Sequence, residues 1–423
     1  RGNMSEATLQ NTLLTDDEGI PLKTKLARAT RRQKMRALAL VAPLFLFVLI
    51  SFLVPIALML MRSVSAPEFG QIMHRTAGVL SQWDGKGVPE EAAWKALVED
   101  LTEARANQTI GKAATAVNYE LPAARSLFIK SARKAKSITA APYKDALIKI
   151  EKKWDDPKVW ALMKQLAPPT TARFYVSAVD RQYDEDGSIV MRPEQQQIYI
   201  PLFIRTMWMS LTVTLSCLLL AYPVAYLLSV LPLRTSNLLM ILVLLPFWTS
   251  LLVRTTAWIA LLQTQGVIND IAVFTGILSD DNRAQLIFNS TGTVIAMTHI
   301  LLPFMILPLY SVMKTIPPSY MRAARSLGAN QFTAFTRIYM PQTLPGVGAG
   351  CILVFIVAIG YYITPALVGG ESGTLISNMI AYHMQKSLNW GLAAALAALL
   401  LASVLALYWV YNRVVGVDNM KLG

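Results

Sequence analysis

The sequence predicts an all-α membrane protein with six transmembrane helices and a large, mostly helical extracytoplasmic insert between the first two. Three observations carry this. Hydrophobic residues make up 54% of the chain and charged residues 15%, against about 25% charged in a soluble domain. Mean hydropathy is +0.42. The apolar residues gather in six runs, at about 38–61, 203–231, 237–262, 291–313, 345–368 and 391–412, each close to the ~20 residues that cross a bilayer. The net charge of +13 fits basic loops against anionic lipid. No basic-aromatic nucleic-acid module accompanies it.

Taken in order, Arg1, Gly2 and Asn3 precede Met4 and read as an expression remnant. Residues 1–37 form a polar N-terminal segment, acidic at Asp16, Asp17 and Glu18 and basic from Lys23 to Arg36. The first span (38–65 with its flank) is too long for a signal-peptide core and reads as retained. Residues 66–200 form the insert, rich in Ala, Lys and Glu with helical spacing (Leu147, Ile148, Ile150, Trp154). Its end holds β-formers at Phe174, Tyr175, Val176, Ile189 and Val190, with Asp186-Gly187 as the turn of one hairpin. The insert is expected to be either a spacer or a contact for an external partner. Residues 201–413 carry the other five spans, with a polar loop at 314–344, and 414–423 form a tail. Prolines inside the runs (Pro43, Pro55, Pro223, Pro246, Pro303, Pro308, Pro365) are tolerated where neighbours re-satisfy the backbone. Lys/Arg bias puts Arg28, Arg31, Arg32, Lys34, Arg36, Arg234, Lys314, Arg322, Arg325, Arg337, Arg413 and Lys421 on one side, so both termini and the 314–344 loop are expected in the cytoplasm.

That loop is the most informative stretch. Pro317-Pro318 end the fourth span, Ser319 is a candidate N-cap for a helix over about 320–327, and Gly328 is placed to terminate it. Asn330 caps a second helix over about 331–339, and Pro341 is expected to interrupt before the fifth span. Ala323 and Ala324 leave one helix face flat. Phe332 and Phe335, three apart, are candidates to plug a partner's apolar cleft. The bland alternative is an amphipathic interfacial segment.

Here the chain resembles the permease subunits of binding-protein-dependent ABC importers. Their cytoplasmic loop follows the pattern Glu-Ala-Ala, three residues, Gly, nine residues, Ile, one residue, Leu-Pro. Ala323-Ala324, Gly328, Ile338 and Pro341 keep the spacing, Met340 stands for the Leu, and Arg322 replaces the Glu, against the preference of a helix N-terminus for acid. Pro246-Phe247-Trp248-Thr249-Ser250, Leu252-Val253-Arg254-Thr255, Ala257-Trp258, the Ile363–Gly370 stretch and Trp390–Ala395 resemble the spermidine/putrescine and opine group. The resemblance implies a type I ABC importer permease architecture in a bacterial inner membrane. It also implies pairing with a second homologous permease, two ATPase subunits that dock the loop as a coupling helix, and a periplasmic solute-binding protein. The solute would be a polyamine such as spermidine or putrescine, or an opine or amino-acid derivative.

The residues support a non-enzymatic reading independently. No Gly-x-x-x-x-Gly-Lys phosphate loop occurs, so ATP and Mg would sit on partner ATPase subunits and this chain would hold no cofactor. Cys217 and Cys351 fall inside apolar runs, and His74, His299 and His383 lack ligand spacing, so no metal site is expected. Pathway candidates are Arg254, an intramembrane charge equally readable as a structural residue, with Trp258 one turn on. Tyr361 and Tyr362 offer cation–π faces or plain packing, Tyr361 standing where some relatives carry an acid. Trp248, Glu371 and Trp390 are rim candidates, and the Ala393–Ala398 run reads as close helix packing. Two competing readings are a stand-alone secondary transporter or channel, and a membrane-anchored receptor that works through the insert.

Overall fold

The computed structural model describes residues 22–184 and 187–415. The acidic N-terminal residues, Asp186 of the expected turn and the 416–423 tail lie outside the described residues. Among the described residues, six helices are long and apolar enough to span a membrane: Thr30–Arg62, Tyr199–Val230, Leu251–Phe274, Ser290–Thr315, Gln331–Gly360 and Trp390–Arg413. Residues up to Met61 form one compact unit and those from Arg62 a second.

In the first unit the helix starts at Leu22, well before the apolar run, and continues through a π-turn at Leu49–Leu53. The Val54 amide donates to Leu49 O, five residues back, and Pro55 follows at once. The wider turn moves aside the carbonyl that a proline ring would otherwise strike.

In the second unit the membrane bundle centres on the second, fourth and fifth spans. Val213, Cys217, Ala221 and Ala225 repeat every four residues on the second span and are fully buried. They face Met297, Leu301, Met305 and Leu309 of the fourth span and Val354 and Ala358 of the fifth. Hydrocarbon lipid gives no hydrophobic drive between helices, so such contacts rest on small residues and close backbones. Gly350 is one such case: a Cβ there would sit 2.6 Å from Met305 Sδ.

Two expected helices are broken. The third apolar run is not one helix over 237–262. It divides into Leu233–Leu244, a 3-10 turn at Leu245–Trp248, and Leu251–Leu262, because Pro246 lacks an amide and Thr249 and Ser250 are extended. The fifth run does not continue to 368. It ends at Gly360, Tyr361 is extended, and a short helix follows at Ile363–Val368. The carbonyls freed there are satisfied: Ser377 Oγ donates to Tyr361 O and Asn378 Nδ2 to Tyr362 O, each at 2.7 Å.

The insert is a helical domain with its own core. Trp94, Trp154 and Trp160 are fully buried and pack on one another and on Phe128. Each indole N–H is used, on Pro89 O (3.0 Å), Ser131 Oγ (2.7 Å) and Trp154 O (2.8 Å). The hairpin is β1, Arg181–Tyr183, against β2, Ile189–Met191. Phe174, Tyr175 and Val176 are not strand but lie in the helix Arg173–Ala178, where Phe174 and Val176 are buried by tertiary packing that overrides β-propensity. Asp180 joins the insert to the second span. Its carboxylate accepts amides from Ile198 and Tyr199 (3.0 Å each) and Ile200 (2.7 Å), capping the helix start where the dipole favours negative charge.

Candidate functional site

Two groups of residues stand out, one on the polar loop and one between the broken spans.

The loop helix runs over Pro318–Ser326. Ser319 is not its cap. Pro317 takes that place and Pro318 the first helical position, where a fixed φ and a missing amide cost nothing. Gly328 has φ +89° and ends the segment, a conformation that L residues avoid. Asn330 caps the next helix, accepting the Thr333 amide at 2.7 Å. Pro341 does not interrupt that helix, which continues from Gln331 to Gly360. A π-turn at Phe335–Tyr339, with the Met340 amide donating to Phe335 O, precedes the proline, as at Pro55.

The loop's side chains divide into two sets. Arg322, Ala323, Gly328, Phe332, Ile338 and Pro341 are exposed, and Ala324 is half-buried. Phe335 points inward instead of outward. It stacks on Tyr339 at 5.6 Å and meets Tyr226 at 5.4 Å and Tyr222 at 6.3 Å edge-on, and so anchors the loop to the second span. Lys314 Nζ donates to Ser229 O at 3.1 Å on the same side. What is presented outward is Leu327, 89% exposed, and Phe332, 76% exposed, beside a groove of about 370 Å³ lined by Tyr226, Met321, Gln331, Phe332 and Phe335. The sequence marks Leu327 only by its place immediately before a glycine that turns the chain.

Between the broken helices, Trp258 Nε1 donates to His299 Nδ1 at 3.1 Å, with the rings 5.4 Å apart. Arg254 sits one turn before Trp258. Its Nε is buried without a hydrogen-bond partner among the described residues. Thr255 and Thr364 meet at 3.4 Å between their hydroxyls. Trp258 and His299 thus join the third span to the fourth, and Thr255 and Thr364 join the third to the short helix after the fifth. His299 was set aside for lacking metal-ligand spacing, and nothing local in the sequence pairs it with Trp258. Tyr362 is 39% exposed. Trp248, 87% exposed, stands outside both pairs. Glu371 is exposed and touches Arg205 through its backbone carbonyl, at 2.8 Å. Trp390 stands at the start of the sixth span beneath Arg62, 5.7 Å from its ring.

Near the seam between insert and bundle, His383 is 8% exposed. Its Nε2 lies 2.9 Å from Tyr199 Oη and its Nδ1 2.8 Å from Ser387 Oγ. Burial pushes its pKa down to about 4.

A family model described as "Binding-protein-dependent transport system inner membrane component" matches residues 200–415; the first span and the insert lie outside that match. The chain is 35% identical over 219 residues to the spermidine/putrescine transport system permease protein PotB of Salmonella typhimurium (strain SL1344), covering 51% of this chain and 76% of that protein. It is 36% identical over 229 residues to PotB of Haemophilus influenzae, covering 53% and 79%. It is 31% identical over 225 residues to the inner membrane ABC transporter permease protein YdcU of Escherichia coli (strain K12), covering 51% and 71%.

Proposed function

The chain belongs to the binding-protein-dependent transport system inner membrane component family, and from that premise we propose that it forms one half of an ATP-driven pathway that imports a polyamine or a related amino-acid-derived solute. It is a permease subunit, a transporter component rather than an enzyme. A second, homologous permease completes the pathway, two ATPase subunits bind beneath, and a periplasmic solute-binding protein delivers the cargo. The Lys/Arg distribution supports a cytoplasmic side for the 314–344 loop and for the N- and C-terminal segments, with the insert in the periplasm.

One observation carries the coupling role. Leu327 and Phe332 project from a segment whose own base is fastened inward by Phe335 and Lys314. Exposed apolar side chains on a rigid mount suit insertion into a partner's cleft, and a push on them reaches the second and fifth spans through the Phe335–Tyr226–Tyr339 rings. Along the pathway, Trp258 and Tyr361 offer aromatic faces to an organic ammonium, with Arg254 one turn before Trp258.

The test is reconstitution with the ATPase subunits, the second permease and the binding protein, using spermidine and putrescine as probes. Replacing Leu327 and Phe332 together by Ala is expected to lower ATP-dependent uptake by about tenfold or more and to abolish stimulation of ATP hydrolysis by loaded binding protein. Uptake by the purified chain alone, driven by an ion gradient and indifferent to ATP, would overturn the proposal in favour of a stand-alone carrier.

A further inference from the structure

The stretch Leu251–Phe274 is apolar enough to count as one span, yet it is two helices. Leu251–Leu262 ends at an extended Gln263, and Val267–Phe274 starts after Gly266. The chain turns sharply between them. A Cβ at Gly266 would lie 2.6, 2.7 and 2.8 Å from the carbonyl oxygens of Leu261, Ala260 and Gln263. The second helix is not needed for the crossing. The helical segments from Leu233 to Leu262 already supply up to about 40 Å of rise at ~1.5 Å per residue, against a hydrocarbon core of ~30 Å. Val267–Phe274 therefore lies where the third run has left that core, at the membrane–water boundary.

One face of this helix is bulky, apolar and uncovered. Val267, Ile271 and Phe274 are all exposed, Phe274 by 91%, and Ile277 just beyond the helix by 76%. Spacings of four and three residues put the helical members on one stripe. The other side is pinned. Asn269 is fully buried; its Oδ1 accepts the Ala284 amide at 3.1 Å and its Nδ2 donates to Ala284 O at 2.9 Å. Ile268 packs on the cluster of Leu262 and Ile287. Arg283 donates to Asp270 at 2.7 Å and to Asp280 at 2.8 Å, so the acidic groups near the stripe are paired.

Two features say what covers the stripe. Where helices of this bundle meet, the buried positions include Ala221, Ala225, Gly350 and Ala358, small residues that let backbones approach. The stripe has none of these; each member is a large side chain, as on a surface that meets acyl chains. An apolar stripe edged by polar groups, on a helix at the boundary, is the pattern of an interfacial helix, whose apolar side sinks about 5–10 Å into the headgroup and acyl boundary. We propose that Val267–Phe274 is an in-plane membrane anchor. Val267, Ile271, Phe274 and Ile277 lie among the upper acyl chains of one leaflet, with Asp270 and Arg283 at headgroup level. The anchor fixes the end of Leu251–Leu262 at the bilayer surface, while the start of that helix adjoins the break at Pro246.

The experiment places the photoreactive analogue benzoylphenylalanine singly at Ile271, at Phe274 and, as a control on the polar loop, at Asn282 of the full chain. All three side chains are exposed, so the replacements leave the packing intact. Each protein is irradiated in native host membranes, where any partner subunits are present, and in vesicles of phosphatidylethanolamine and phosphatidylglycerol. Adducts are read by mass spectrometry. Phospholipid adducts at Ile271 and Phe274 are expected in both settings, at about fivefold or more the yield at Asn282. Cross-links to another protein chain in place of lipid in the native membrane would overturn the anchor and assign the stripe to a subunit interface. Lipid yields no higher than at Asn282 would place the helix in water and overturn it too. Neither readout requires transport, so the outcome is independent of the proposed solute.

Discussion

His383 shows how one side chain sets a pH response. Its ring is buried between Tyr199 and Ser387, and its pKa is lowered to about 4 from an ordinary 6.5. Above pH 6.5 neither folded nor unfolded chain carries the proton, and the site is neutral in its effect. As pH falls from about 6.5 to 4 the unfolded chain takes up a proton that the fold refuses, so stability is lost across that window. The loss is about 2 kcal/mol after allowing for some solvent access. We expect the apparent melting temperature of the purified protein to fall between pH 7 and 4.5, and His383→Gln to flatten part of that fall. An identical pH profile in the variant would remove His383 from the account. Residues of this kind were illegible in the sequence. His383 and His299 are separated by more than 40 residues from the partners Tyr199 and Trp258, and no local spacing announces either pair.

At the scale of elements, the helix-forming runs and their prolines were legible, while the way each proline is absorbed was not. Pro55 and Pro341 both follow a five-residue π-turn by one residue, and the helix survives. Pro223, Pro303 and Pro308 stay inside unbroken helices without one, whereas at Pro246 a 3-10 turn intervenes and the helix breaks. The difference lies in backbone registry, which apolar periodicity does not encode. Gly328 and Asn330 could be assigned from sequence because each acts on its own neighbours. Ser319 could not, because two prolines competed for the same cap. Phe335 read as an outward anchor since its inward partners, Tyr222 and Tyr226, belong to another span. Asp180 is an element-scale joint of the same non-local kind. Asp180→Ala would leave three amides of Ile198, Tyr199 and Ile200 without their acceptor, at about 1–3 kcal/mol for each that stays buried. Hydrogen exchange at those amides is expected to rise by at least about tenfold, with Asp180→Asn closer to the parent because an amide oxygen still accepts. Equal protection in the Ala variant would show that the joint is held elsewhere.

Across the whole molecule, the six-span plan and the helical insert followed from composition and run length, whereas the seat of the insert on the bundle did not. The insert's core is complete in itself, with Trp94, Trp154 and Trp160 fully enclosed and every indole N–H bonded. Residues 66–192 expressed alone are therefore expected to melt cooperatively, and Trp154→Ala to cost about 3–5 kcal/mol; a broad, non-cooperative melt of the excised segment would show that the bundle is needed to complete it. The seat itself is a shared cluster of Phe174 from the insert, Tyr199 and Leu202 from the second span, and Leu392, Ala395 and Leu396 from the sixth, reinforced by the Asp180 cap. Fastened at both, the insert works as a splint across the insert-facing ends of these two spans. A mouth that opened there by parting them would have to tear that splint away. On the proposed function, the places left to open are those where the helical ladder is already interrupted, Thr249–Ser250 and Tyr361–Tyr362, and the candidate pathway residues Arg254, Trp258 and Tyr361 stand at or shortly after those breaks along the chain.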